Sequence, residues 1–233
     1  MTETEKEILT RPVLDFHTHT LISDGDLGPA ELGRRAFVSG YKILGLADHV
    51  DHATLEHSLT SALVAVRALP THLGLSILAG VELTHVPPDQ IEDLVVWSKE
   101  MGAQFVVVHG ESPVEPVAPG TNQAAIEAGA DILAHPGFLT RELAALAKKR
   151  GVFLELSARS GHSLCNGYIA KLALEEGANL MVNSDAHDIE DILTPERQRA
   201  VALGAGLSQE QYLAMMDVVG RWAEYKLQDG LGE

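Results

Sequence analysis

Cysteine is nearly missing from this chain: Cys165 stands alone among 233 residues. That excludes an internal disulfide and any structural zinc knot built on thiolates, and it fits a reducing compartment. Aromatic residues make up only 5% of the chain, while Leu, Ala, Val and Gly are plentiful, which suits close-packed strands and helices better than an aromatic-rich sandwich. Positive charge is scarce as well. Seventeen Lys and Arg face 33 Asp and Glu, a formal net charge of −16 that opposes binding to nucleic acid or to anionic membranes. No apolar run is long enough to span a bilayer, and Met1 to Thr10 is polar and charged with no apolar core. A cytoplasmic protein with no nucleic-acid or membrane partner is therefore expected. No motif bears on oligomeric state.

What the chain does have is regular alternation. Short apolar runs at Val13–His17, Ile43–Ala47, Ser76–Val81, Phe105–Val108, Ile132–Ala134, Val152–Leu156 and Leu180–Asn183 read as seven strands. Helices are expected between them, from Pro29, across about Ala53 to Ala68 before Pro70, after Pro87-Pro88, near Asn122–Glu127, from the cap Thr140 to Lys149, and near Leu164–Glu176. The end of the chain reads as two more helices, the second opened by Ser208 and Gln211 at capping-box spacing. Uninterrupted apolar strands are buried on both faces, and strict β–α alternation implies a parallel sheet with right-handed crossovers. The pattern leaves open whether that sheet closes into a barrel. No linker divides the chain, so one domain over 1–233 is expected, with a polar tail at 1–10 and a helical segment at 188–233 packing on it.

Eleven histidines are many, and their positions are not random. His17 and His19 follow the first strand two residues apart, so both imidazoles point to one side. Asp24 lies in the Ser-Asp-Gly turn just beyond. The next four strands end in His49, Glu82, His109 and His135, and the seventh ends in Asp185 and His187. In parallel β/α folds these ends converge on one face, where sites lie. Nine nitrogen and oxygen ligands exceed what one ion needs, so two to three divalent ions, Zn, Mn or Fe, are expected. Clustered ions of this kind acidify water and clamp phosphoryl oxygens, which makes metal-assisted phosphoester hydrolysis the expected chemistry.

The order His17-x-His19, Ser23-Asp24-Gly25, Ala47-Asp48-His49, Gly80-Val81-Glu82, His109, His135-Pro136 and Asp185-x-His187 resembles the PHP (polymerase and histidinol phosphatase) family, from about Leu14 to His187. The resemblance implies an α/β fold, a distorted (β/α)7 barrel with parallel strands. It implies one ion on His17, His19, Glu82 and Asp185, a second sharing Glu82 with His109 and His135, and a third on Asp24, His49 and His187. Hydroxide bridging the ions is the implied nucleophile. A small phosphate monoester is the implied substrate, as in a histidinol-phosphate phosphatase. The compact chain leaves little length for insertions over the barrel mouth, which favours a general phosphoesterase.

The sixth strand ends without a ligand but leads into Ser157-Ala158-Arg159-Ser160-Gly161-His162. A phosphate held by metals on one side calls for an arginine fork and hydroxyl donors on the other. Arg159 and His162 are the catalytic candidates here, and Arg159, Ser157 and Ser160 the substrate-binding ones. Asn166 is a candidate contact or turn residue, and Glu111 a candidate partner for a ligating histidine. His52 and His57 are expected near the rim, while His72 and His85 lack ligand spacing and are expected to be structural or exposed. Three other readings compete. A phosphodiesterase or exonuclease is disfavoured by the acidic charge. An amidohydrolase, whose barrel also begins with H-x-H, usually places a lysine where His109 stands. A metal-binding module without activity would be marked by lost ligands, and none is lost.

Overall fold

The structure, a computed structural model, describes residues 11–69 and 74–229. The expected tail at 1–10, Pro70 and His72 lie outside the described residues. Seven strands alternate with helices: β1 Val13–Thr18, α1 Pro29–Val38, β2 Tyr41–Leu46, α2 Leu55–Ala68, β3 Ser76–Leu83, α3 Ile91–Glu100, β4 Phe105–His109, α4 Thr121–Ala128, β5 Ile132–Ala134, α5 Arg141–Arg150, β6 Phe153–Ser157, α6 Asn166–Glu176, β7 Leu180–Asn183, α7 Pro195–Gly204 and α8 Gln209–Asp229. Every neighbouring pair is parallel and the spatial order follows the chain. The sheet curls until β7 meets β1, through a parallel bridge between Thr18 and Ala186. The fold is thus the distorted (β/α)7 barrel rather than an open sheet.

Its closure has a physical account. Among the described residues two backbone hydrogen bonds span the seam near its upper end, Asp185 N–H to His17 O at 2.9 Å and His19 N–H to Ala186 O at 2.8 Å. Buried side chains supply the rest. Asn183 Oδ1 accepts from Phe16 N–H at 3.0 Å, and Asp15 Oδ1 accepts from Ser184 N–H at 3.1 Å. Gln198 of α7 donates to both Leu14 O and Val182 O, at 2.8 and 3.2 Å. Tyr41 ties the seam to the following loop, donating to Asp15 Oδ2 at 2.9 Å and accepting from Leu193 N–H at 3.0 Å. In a low-dielectric interior such paired polar networks favour one arrangement.

The distortion centres on β3. Its first half, from Ser76 to Ala79, pairs with β2, and its second half, from Gly80 to Leu83, pairs with β4. A two-residue segment, His49–Val50, resumes after β2 and pairs with the end of β3. Phe105 fills the space at the handover, and a Cβ on Gly80 would lie 2.4 Å from its ring. Phe105 meets Phe16 edge-on, and Phe16 meets Trp222 of α8, so the last helix packs on the barrel core. The helix signals are local and hold: Thr140 Oγ1 accepts from Leu143 N–H, and Ser208 and Gln211 exchange side-chain-to-backbone bonds. Among the described residues no helix is long and apolar enough to cross a membrane.

Gly80→Ala should cost about 1–3 kcal/mol, the usual penalty for overpacking a filled core. The measure is the urea midpoint at constant m-value. A midpoint equal to the parent's would show that Phe105 has room to move.

Candidate metal centre

His49, His109, His135, Asp185, His187 and Asp24 line one cleft of about 260 Å³ at the C-terminal mouth of the barrel, and His17, His19 and Glu82 are buried against them. His17 and Glu82 lie within strands, His109 ends β4, and His135, Asp185 and His187 follow β5 and β7 directly. His17, His19, Glu82, His135 and Asp185 are almost wholly buried, whereas Asp24 is 54% exposed. The nine expected residues form one connected network. His17 Nε2 lies 3.2 Å from Glu82 and 3.7 Å from Asp185, and His19 Nε2 lies 3.3 Å from Asp185. His135 Nε2 is 3.7 Å from Asp185 and 3.9 Å from Glu82, while Asp24 is reached by His187 at 3.3 Å and His49 at 3.6 Å. Asp185 and His135 hold left-handed backbone at φ 55° and 28°, strain of a kind that persists at functional sites.

The donor chemistry fits cations. Four imidazoles spend Nδ1–H on protein oxygen: His17 on Glu155 at 2.8 Å, His49 on the Thr84 hydroxyl at 2.5 Å, His109 on Gly110 O at 3.1 Å and His187 on Asp185 O at 3.0 Å. The Thr84 hydroxyl itself donates to Glu82 O, which leaves it free to accept. In each neutral ring Nε2 then carries only a lone pair. Each of those nitrogens faces a carboxylate, on Glu82, Asp24, Glu115 and Asp24 respectively. Glu82 and His17 Nε2 lack well-formed hydrogen bonds despite their closeness, as do both nitrogens of buried His19. Glu82 Oε2 also lies 2.7 Å from His49 Nδ1; positive charge, as protons or as metal ions, is needed among these atoms. Unpaired buried groups each cost about 1–3 kcal/mol, a penalty that a cation among them removes. Four overlapping groups have ligand atoms within 4.8 Å of one another: His17, His19 and Glu82; His17, His135 and Asp185; His19, Asp24, His49 and His187; and His109, His135 and His162. Relative to the sets implied by resemblance, the third gains His19, and the fourth holds His162 in place of Glu82.

Several supports were not legible. Glu155, inside β6, holds both His17 Nδ1 and Asn183 Nδ2 (2.9 Å) on one oxygen. In the sequence it is one polar residue in an apolar run, which is the available signal. Asp48 accepts from Thr20 N–H, Thr20 Oγ1 and Ser23 Oγ at 2.6–2.8 Å, and so pins the turn that presents Asp24. Glu111 is not a histidine partner: it accepts from Gly120 and Asn122 N–H at 3.0 Å and caps α4. Glu115 comes to the histidines instead, and His85, exposed as expected, lines the cleft 3.4 Å from it.

The loop after β6 divides. Arg159 lines the cleft, with Nη1 on Asp191 at 3.1 Å and on Asp185 O at 3.3 Å. His162 also lines it, stacked on His135 with ring centroids 4.0 Å apart. Ser157 is buried with its hydroxyl accepting from Arg159 N–H, and Ser160 is exposed; neither lines the cleft. Asn166 binds Ser157 O and N–H and serves the backbone. His52 and His57 are exposed outside the cleft.

The electrostatics follow from burial and neighbours. Burial resists a proton on His17, but Glu82, Glu155 and Asp185 hold its pKa well above the imidazole range. Burial likewise opposes Glu82 ionising, yet His17 and His49 keep its pKa well below the usual carboxylate value. Burial pushes Asp185 up to about 7, while Glu82 outweighs burial to lift His49 to about 8. His19 and His135 are held well below the usual value, by burial and then by their neighbouring histidines. Ions entering the cleft must displace protons from His17 and His49. Apparent metal affinity should therefore rise with pH up to and beyond about 8, with proton release visible as buffer-dependent heat in calorimetry. Equal affinity at pH 6 and pH 8.5 would contradict the assignment.

No protein-family model matches the chain. It is 42% identical over 199 residues to uncharacterized protein MJ1295 of Methanocaldococcus jannaschii, covering 84% of this chain and 91% of that protein. It is 28% identical over 233 residues to probable phosphatase Teth514_1060 of Thermoanaerobacter sp. (strain X514), covering 91% and 94%. Its match to DNA polymerase/3'-5' exonuclease PolX of Bacillus subtilis, 27% identical over 199 residues, covers 76% of this chain but 34% of that protein. Among solved structures, histidinol phosphate phosphatase from Lactococcus lactis, complexed with zinc, L-histidinol and phosphate, matches with a TM-score of 0.59 at 13% identity, over 84% and 94% of the two chains. A chain of archaeal ribonuclease P with mature tRNA matches at 0.65 and 16% identity, over 91% and 90%. The structural likenesses show the barrel; the sequence relatives show the lineage. The chain belongs to the same family as the M. jannaschii protein MJ1295, and the relatives named above support a PHP-like lineage.

Proposed function

We propose that the chain is a metal-dependent phosphoesterase that hydrolyses a small phosphate monoester. The observation that carries this reading is the ring of imidazole nitrogens facing carboxylates in a mostly buried cleft, a site built for several cations. His17, His19, Glu82 and Asp185 would hold one ion, His109 and His135 a second, and Asp24, His49 and His187 a third. Zinc, manganese or iron bound there supplies Lewis acidity and neutralises phosphoryl charge.

The chain's own groups do the positioning. Glu155 fixes the ring of His17, and Asp48 fixes the turn of Asp24. Arg159, 32% exposed on the cleft wall and braced by Asp191, turns guanidinium donors toward a bound phosphoryl group. The likeness to the Thermoanaerobacter probable phosphatase supports the monoester reading. The likenesses to PolX and to the ribonuclease P chain make a nucleotide diester the second substrate class. A net charge of −16 disfavours a long polyanion.

The test is a screen of the Mn²⁺- or Zn²⁺-loaded chain against phosphorylated metabolites, an aryl phosphate, an aryl diester and short oligonucleotides. Monoester turnover is expected, and preference for the oligonucleotides would install the second class. Failure on every phosphoester at full metal loading would sink the hydrolase reading. His17→Ala or Glu82→Gln should lower kcat/KM by more than about 100-fold, exceeding the 10–100-fold typical of residues that only orient a ligand. Arg159→Ala should raise KM about tenfold or more, ~1.4 kcal/mol of binding, with metal content unchanged. An unaltered KM removes Arg159 from the site.

A further inference from the structure

We propose that Glu115 and His162 are metal ligands, completing with His109 and His135 a site of three imidazoles and one carboxylate. The inference rests on the reading that the cleft holds divalent ions. It assigns one ion to residues that the strand-end pattern does not contain: Glu115 comes from the loop between β4 and α4, and His162 from the turn after β6.

His109 donates Nδ1–H to Gly110 O, which leaves Nε2 as a lone pair 3.2 Å from Glu115 Oε2. His162 Nδ1 lies 2.7 Å from the buried Ser112 hydroxyl, an oxygen able to take the Nδ1 proton, and its Nε2 lies 3.2 Å from Glu115 Oε1. Ligand nitrogens of His109, His135 and His162 all lie within 4.8 Å of one another. Donors bonded tetrahedrally to zinc at about 2.0–2.1 Å stand about 3.3 Å apart, and each Glu115 oxygen stands near that spacing from one ring, Oε2 from His109 and Oε1 from His162. His109 and His162 are each about 95% buried, so their ring orientations are set by packing. Asp185 Oδ2 also faces this pocket, 4.0 Å from His162 Nε2, and His85 meets Glu115 from the mouth side.

The loop that presents Glu115 is clasped at its base. Glu111 caps α4, Asn122 Oδ1 accepts from Glu111 N–H at 3.0 Å, and Asn122 Nδ2 donates to Pro136 O at 2.8 Å. The φ of Gly137 is +66° and a Cβ there would fall 2.0 Å from Glu111 O, so only glycine lets this loop lie against the His135 turn. One clasp thus sets Ser112, and through it His162, together with Glu115.

The alternative is an ion pair alone, with a proton rather than a metal between Glu115 and the rings. Metal counting on the full chain, stripped with chelator and refilled with Zn²⁺, separates the two. Glu115→Gln and His162→Ala should each lose one ion per chain by elemental analysis, or weaken one calorimetric binding step by more than about 100-fold, with the remaining ions kept. Ser112→Ala should weaken that same step by about 10–100-fold. Glu115 sits partly exposed on a loop, so Glu115→Gln decides the matter should His162→Ala fail to fold. Unchanged stoichiometry and affinity in Glu115→Gln, beside a fully loaded parent, overturns the inference alone. A parent chain that takes up no divalent ion overturns this inference and the proposed function together.

Discussion

Imidazole nitrogen faces carboxylate at the centre of this barrel, and much of the structure is arranged around the positive charge that must lie between them. The Nε2 atoms of His17, His49 and His109 meet the carboxylates of Glu82, Asp24 and Glu115 at 3.2–3.6 Å, a gap that protons on His17 and His49 fill until a metal ion displaces them. Such a contact is unfavourable in a low-dielectric interior unless positive charge sits between. The tautomers that create it are set by oxygens behind the rings, on Glu155, Thr84, Gly110 and Asp185. The protein therefore commits buried hydrogen-bond partners to keeping lone pairs aimed inward. Burial of Glu82 and Asp185 raises the stakes, because both would otherwise be stabilised by water.

The same residues close the fold. Asn183 binds the Phe16 amide across the β1–β7 seam and, through its other end, the Glu155 oxygen that orients His17. Asp15 receives the amides of His17 and Ser184, the residues flanking two ligand-bearing segments. Seam and centre are one network, so an error in closure displaces ligands. That coupling gives a reason for the side-chain stitching: a backbone ladder alone would not carry β1 and β7 to the same point in the cleft.

Much of the fold was readable. Continuous apolar strands with helices between them indicate a parallel sheet, because strands covered on both faces lose the polar alternation of an exposed sheet. Ligand-type residues at the strand ends were readable for a related reason: every parallel strand points its C-terminal end the same way. Other features depended on long-range contacts. Glu111 has the spacing of a histidine partner, yet its carboxylate turns to cap α4, while Glu115, four residues on, reaches the rings. Ser157 and Arg159 share a loop, yet only Arg159 faces the cleft. Sequence distance does not encode which way a loop side chain points.

By itself the sequence determined the alternation of strands and helices, the absence of disulfide chemistry, the acidic balance, and the set of nine ligand-type residues. These follow from residue type and local spacing. Tertiary structure decided the barrel's closure, the pairing of each Nε2 with its carboxylate, the bracing by Glu155 and Asp48, and the approach of Glu115 to His109 and His162. The physical reason is that these contacts join residues up to 184 positions apart, as between Leu14 and Gln198. Their geometry depends on how far each strand is staggered when the sheet closes, a quantity that no local pattern carries.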